Sequence, residues 1–415
     1  MKRMISLLLC CFLALGMCSG CTSDDQSKEP PVLKVLIDLA VSGDTDSLCS
    51  DIESFLNNHA AGCGTDYLVE VEALPTISEP DRRNPAIVRM HMELMEGGPD
   101  VFLVRNYTDS TGMYPDLKNL FPYPGSAMRQ HLFLPLDEYI ENDEDWEQML
   151  PAVTAAGSLN GSQQLVPLGF GIKASLIDSE KYQATEPFPM TAHSMLTSDD
   201  PILRWAAVSD GASLLGAPAN YETEKPAFSQ EELLGLVRDI RTAQQNVDPM
   251  EIRELGGLSA VTISPINESL FHSEEVAKYT LLPAYNQDGG LTAWVESYAA
   301  INRNTEYPDQ AYAILKSLFG AEGQRNDRLT SMKLPVRVEP GSERTPDSLN
   351  AWLDEWEYEQ LAVLLEHINQ VDFVTPLTGE LEALFASCIY LEDDGQVETA
   401  VEDAYFRLRT MISES

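Results

Sequence analysis

Apolar positions first gather at residues 32–39 (VLKVLIDL), a half-alternating, half-continuous block that predicts a strand. A polar turn with Ser42, Gly43 and Asp44 follows. Leu48, Ile52, Phe55 and Leu56 then recur at i, i+4, i+7 and i+8, one apolar face of a helix that Asp44 or Thr45 can cap. Residues 67–74 (YLVEVEAL) alternate as a second strand. Asn84 before Pro85 reads as a cap and first helical position; the helix runs through Ile87, His91, Leu94 and Met95 and stops at Gly97 and Gly98. Residues 100–104 (DVFLV) form a short buried strand. Strands and helices alternating over short connections predict an α/β fold with a mostly parallel sheet.

Further along, residues 201–207 (PILRWAA) read as a short helix. Ser229 and Glu232, three apart, form a capping box ahead of a helix carrying Leu233, Leu234, Val237 and Ile240. Residues 261–264 are a short strand candidate. Residues 279–305 read as strand, glycine turn (Gly289, Gly290) and strand. Pro308 opens a helix with Ala311, Ile314, Leu315, Leu318 and Phe319 in phase, ended by Gly320, and residues 334–338 form a short strand. Thr345 and Pro346 start a helix bearing Leu349, Trp352, Leu353 and Trp356. Thr378 starts another with Leu381, Leu384, Phe385 and Cys388. The last helix uses Val397, Val401, Ala404, Leu408 and Met411.

The extreme N-terminus follows a different rule. Lys2 and Arg3 precede an apolar run of 13 residues at 5–17, too short to span a bilayer, and Ser19 and Gly20 then lead into Cys21. The arrangement resembles a bacterial lipoprotein signal peptide, with Cys18 where that family usually has Leu. The resemblance implies lipidation at Cys21 and a mature protein anchored on the outer face of the cell membrane. A plain secretory signal is the alternative. Residues 21–31 read as a flexible tether.

The chain has 415 residues, which implies two domains. A formal charge of −39 argues against nucleic acid as a partner and against electrostatic binding to anionic lipid. Of seven cysteines, four lie in the first 21 residues. Cys49 and Cys63, separated by 14 residues that read as mostly helix, are expected roughly 20 Å apart and unbridged.

Motifs of enzyme chemistry do not surface. There is no G-x-S-x-G elbow, no H-E-x-x-H and no phosphate loop. His91 and Glu93 on one helix point about 200° apart, and His272 with Glu274 has no third ligand nearby in sequence. Acidic pairs are numerous among 66 carboxylates by composition alone. No cofactor is implied.

From residue 32 onward the order of motifs resembles the extracellular solute-binding proteins of family 1, the sugar-binding type that serves ABC importers. "ELMEGGPDVFLV" (93–104) is similar to their first lobe, "LFLPLDEYI" (132–140) to its edge and "LNGSQQLVPLGFGIKASLIDSEKY" (159–182) to the first crossover. Residues 279–305 followed by "YPDQAYAILKSLFGAEGQ" (307–324) resemble the return crossover and its helix. The resemblance implies a two-lobed α/β periplasmic-binding-protein-like fold of type II, its lobes joined by crossover strands. Residues 1–20 would be signal and 21–31 tether. Residues 32–167 with 302–340 would form lobe 1, and 168–301 with 341–415 lobe 2. It further implies a monomer that is not an enzyme and passes a small solute, a saccharide by analogy, to ABC permease subunits. A glycan-acting lipoprotein and a sensor with the same fold are the alternatives. Residues 186–221 depart from the pattern, so no contacts carry over there.

Open α/β sheets bind ligands at strand ends, where an aromatic can cover a sugar's C–H face and polar groups its hydroxyl rim. The candidates are Asp44 and Asp46 after the first strand, and Arg105, Tyr107 and Asp109 after the third. Phe170 and Lys173 lie by the first crossover. Tyr285, Asn286, Trp294 and Glu296 lie in the return segment. Each has a structural alternative, as core packing or as a surface ion pair. The glycine turn is expected at the cleft edge, with Trp294 at the junction.

Overall fold

The computed structural model of the protein describes residues 30–39, 45–94, 97–107, 118–183, 190–263, 279–331, 333–337 and 355–415. The chain opens with β1 (Val32–Asp38), α1 (Thr45–Gly62), β2 (Leu68–Ala73), α2 (Pro80–Leu94) and β3 (Val101–Arg105). β1 lies between β2 and β3 and is parallel to both, so Val35, Leu36 and Ile37 are buried from either face. α2 begins earlier than the Asn84–Pro85 pair predicts. Pro80 is its first residue, Pro85 sits inside, and the turn before Pro85 is pinned by Arg83, which is fully buried against Asp38. That bidentate pair, at 2.7 and 2.8 Å, fixes Arg83 in the turn before Pro85, which has no N–H to give the helix.

After α3 (Pro124–Arg129) comes β4 (Leu165–Asp178), fourteen residues and almost wholly buried. Then follow α4 (Pro201–Val208), α5 (Gly211–Leu215), α6 (Gln230–Gln245), β5 (Gly257–Ile263), β6 (Tyr279–Pro283) and β7 (Leu291–Ile301). The Ser229 capping box forms as its spacing predicts. α7 (Pro308–Phe319) and β8 (Leu334–Pro335) lead to α8 (Glu355–Glu366), β9 (Ile368–Phe373), α9 (Pro376–Ser387) and α10 (Asp394–Glu414). The predicted helix at 345–356 falls largely outside the described residues, as do the signal segment, Cys21, His272 and Glu274. Thr375, not Thr378, is the N-cap of α9.

Nine strands make one sheet among the described residues, with the path β6-β4-β7-β3-β1-β2 and with β5, β8 and β9 branching from it. The two long strands, β4 and β7, are antiparallel and run the length of the sheet. At one end their residues pair with β3 and β8; at the other they pair with β5, β6 and β9. The sheet therefore has two halves, and only β4 and β7 are common to both. Helix faces on each half close over it: Leu233, Val237 and Ile240 of α6, and Ile314, Leu315 and Leu318 of α7, are all buried. Cys49, Cys63 and Cys388 are free thiols.

Candidate functional site

Strand direction locates the site. β3 is antiparallel to residues 297–301 of β7, whereas β9 is parallel to residues 291–295. Their carboxyl ends therefore point at each other from the two halves and meet beside Glu296. Crevices outside the carboxyl ends of strands are where α/β sheets bind ligands. The register of β7 against β4 slips between Val295 and Ser297, a bulge that turns Glu296 out of the ladder. Asn106, just past β3, ties the ends together. Its backbone N–H donates to the Glu296 carbonyl (3.0 Å), and its amide donates to the carbonyls of Val374 (3.0 Å) and Phe121 (3.1 Å). Val374 N–H donates to the Val295 carbonyl (3.0 Å).

Three sequence candidates assemble here. Arg105 Nη2 lies 3.1 Å from Glu296 Oε2, and Lys333 Nζ lies 2.8 Å from Glu296 Oε1. The Arg105 guanidinium stands over the Tyr107 ring, 5.2 Å from its centroid. Tyr107 in turn donates its hydroxyl to the Leu39 carbonyl (2.7 Å), and burial raises its pKa. The cluster joins the ends of β1 and β3 and the middle of β7 to the residues before β8.

Other candidates are engaged by the protein itself. Phe170 is fully buried opposite Val295 and Leu334. Lys173 is paired with Asp210 (3.2 Å) and Glu382 (3.1 Å). Tyr285 is buried beside His367. Asn286 holds the glycine turn: its side-chain oxygen accepts from the N–H groups of Asp288 (3.0 Å) and Gly290 (3.1 Å), and its amide donates to Asn369 (2.7 Å). A Cβ on Gly290 would fall 2.1 Å from the Asn369 side chain, so glycine is required there. That turn is not at the crevice: it precedes the far end of β7, six residues and roughly 20 Å of strand from Glu296. Trp294 is 4% exposed, with its indole N–H donated to Ser213 Oγ of α5 (2.8 Å). Asp46 is exposed in the first turn of α1, and Asp44 and Asp109 lie outside the described residues.

Sequence reasoning missed a buried polar cluster next to this node. Asp372 of β9 sits beside Trp294 in register and is 7% exposed. One of its oxygens accepts the Phe373 N–H (2.7 Å); the other has no hydrogen-bond partner among the described residues. Burial pushes its pKa up to about 7. Tyr221, 9% exposed, faces Asp372 and turns its hydroxyl to the Thr375 side chain. Thr375 is the fully buried N-cap of α9, in a capping box with Thr378. The Tyr221 ring lies on Gly125 of α3, where a Cβ would come within 2.2 Å of Cδ2. Arg129 of α3 pairs with Glu224, and Asn160 N–H donates to Glu222 (3.0 Å), so the 219–224 stretch also meets residues that precede β4. The available signal for Asp372 was the run INQVDF followed by Thr375 and Pro376, a short alternation before a cap and a proline.

No family model matches the sequence, and no curated protein matches it. Solved structures do. An extracellular solute-binding protein of family 1 from Alicyclobacillus acidocaldarius matches with a TM-score of 0.57 at 13% identity, covering 93% of this chain and 99% of that one. The sugar-binding protein MalE of Xanthomonas citri gives 0.59 at 12% identity, with 92% and 98% covered. A periplasmic oligogalacturonide-binding protein of Yersinia enterocolitica gives 0.57 at 12%, with 92% and 99% covered. The likeness is one of fold: the chain has the two-lobed α/β architecture of the periplasmic solute-binding proteins, with crossover strands between the lobes.

Proposed function

We propose that the protein is an extracytoplasmic solute-binding protein that closes two lobes on a small solute and hands it to an ABC permease, without transforming it. The observation that carries this reading is the convergence of β3 and β9 at Glu296, with the buried, unpartnered carboxyl oxygen of Asp372 beside it among the described residues. A site built from both ends of a sheet shared by only two strands favours the closed arrangement when a ligand bridges it. The lobe boundary is drawn at the bulge. Residues 297–301 then go with lobe 1, since they pair with β3, and the rest of 168–296 goes with lobe 2.

A saccharide is the proposed solute. Two of the similar structures are named as sugar and oligogalacturonide binders, and buried hydroxyl and carboxyl groups suit a polyhydroxylated ligand. Lipidation at Cys21 would hold the protein at the membrane; among the described residues no helix is long and apolar enough to cross it. Calorimetric titration of the Cys21→Ser protein, released from its signal segment, with D-galactose, maltose and trigalacturonate tests the reading. Saturable binding of one member is expected; no heat with any of them refutes the saccharide assignment.

A further inference from the structure

Two short hairpins meet tip to tip. In residues 219–226, Ala219 pairs with Pro226 and Asn220 with Lys225. The Asn220 side-chain oxygen accepts the Thr223 N–H (2.9 Å), and Glu224 completes the turn at a left-handed φ of 56°. α10 holds the stem of this hairpin: the Tyr405 hydroxyl donates to the Phe228 carbonyl (3.3 Å). In residues 158–163, Ser158 pairs with Gln163 and Leu159 with Ser162. Between them lie Asn160 and Gly161, with φ of 52° and 76°, the two positive values that a tight two-residue hairpin turn takes. The Asn160 N–H stands outside that ladder and can serve an acceptor elsewhere in the chain. Both tips thus hold a non-glycine residue at positive φ, a conformation kept where the surroundings fix it.

Three contacts span the gap. Glu222 accepts the Asn160 N–H (3.0 Å), Glu224 pairs with Arg129 of α3, and the Tyr221 ring lies on Gly125. Under the boundary drawn above, residues 219–226 belong to lobe 2, and α3 and Asn160 to lobe 1. The chemistry is complementary, with two carboxylates on one side and a guanidinium and a backbone N–H on the other. We propose that the 219–226 hairpin is an electrostatic catch that holds the lobes together independently of any solute. The inference rests on the two-lobe binding reading and adds how closure is regulated. The side chains of Arg129 and Glu224 are 30% and 46% exposed, so their pair is weak and is screened by salt. A weak, exposed catch suits lobes that must part again to release a solute.

Arg129 Nη2 also lies 3.5 Å from the Ser415 carbonyl just past α10, so the test starts from Glu224, which belongs to the hairpin alone. Wild type, Glu224→Arg and the reciprocal pair Glu224→Arg with Arg129→Glu are compared without ligand, at about 0.05 M and about 1 M NaCl. Amide exchange at Asn160 requires the Glu222 contact to part, so its protection reads how far the tips are held together. Glu224→Arg sets two guanidinium groups against each other. Protection at Asn160 should fall about threefold or more, and the radius of gyration from solution scattering should rise. The reciprocal pair should return both towards wild type, and high salt should lower protection in wild type. An unprotected Asn160 amide in wild type overturns the catch. So does equal protection in all three proteins, or a reciprocal pair no better than Glu224→Arg. If Glu224→Arg does not fold, Glu224→Gln removes the charge alone: protection should fall and lose most of its salt dependence, and unchanged protection overturns the proposal. No ligand enters these readouts. A protein that binds no saccharide refutes the saccharide assignment and leaves the exchange result standing, whereas an unresponsive Asn160 in a protein that binds one refutes the catch alone.

Discussion

Replacing Gly125 by alanine separates lobe closure from folding. The new Cβ would stand 2.2 Å from Cδ2, 2.4 Å from Cγ and 2.7 Å from Cε2 of Tyr221. Ordinary carbon contact is about 3.5–4.0 Å, so ring or helix must retreat by more than about 1 Å. Over-packing of that kind costs about 1–3 kcal/mol if the surroundings cannot give. Alanine within a helix is worth about 0.5–1 kcal/mol over glycine, and Gly125 lies in the first turn of α3. The two terms act on different equilibria. Parting α3 from the 219–224 stretch removes the clash but keeps the helix gain. Global stability should therefore hold or rise slightly, while the closed arrangement loses about 1–3 kcal/mol. That loss is a fall in ligand affinity of about 5- to 150-fold. The assay is calorimetric affinity for the saccharide that binds wild type, together with the melting temperature and amide exchange in residues 124–130 and 219–224. Exchange should quicken in both segments. Tyr221→Ala in the same chain removes the clash, so the double variant should show no additional loss from Gly125→Ala. Unchanged affinity, or a melting temperature several degrees lower with unchanged exchange, would refute the reasoning, because the contact would then belong to a rigid core.

Two further outcomes follow from buried pairs. Arg83→Met strands the Asp38 carboxylate, whose side chain is 1% exposed, and should cost about 3–5 kcal/mol in urea unfolding; adding Asp38→Asn should recover part of it. Trp294→Phe forfeits the indole hydrogen bond to Ser213 and should cost about 1 kcal/mol from that bond, beyond any change in packing. Ser213→Ala in that background should cost little more, and additive losses would show that the two side chains do not act as a pair.

The N-terminal alternation, the glycine stops and the caps made much of the fold legible, since each is a local pattern of period two or 3.6. β1 to β3, the Ser229 capping box and α7 stand close to where periodicity predicts them. The start of α2 was obscured because Arg83 reads as a surface residue until its partner, 45 positions away, is known. β9 was illegible for a related reason. Its six residues include Asn369, Gln370 and Asp372, and only pairing with β7 makes a strand of them. At the site, Arg105, Tyr107 and Glu296 were readable because each follows or belongs to a recognisable strand. Tyr221, Asp372 and Thr375 were not, because what marks them is burial together as one polar cluster. That property exists only once residues about 150 positions apart in sequence are brought together. Trp294 and Asn286 carried the aromatic and amide signals of a binding loop, but the structure commits both to holding the chain's own turns and helices.

Solution scattering of the purified protein, recorded without and with saturating saccharide, tests the central claim most directly. Closure of two lobes about β4 and β7 predicts a smaller radius of gyration for the wild type on ligand addition, and a weaker response for Gly125→Ala at the same ligand concentration. A radius that stays constant in a protein shown by calorimetry to be saturated would contradict the account.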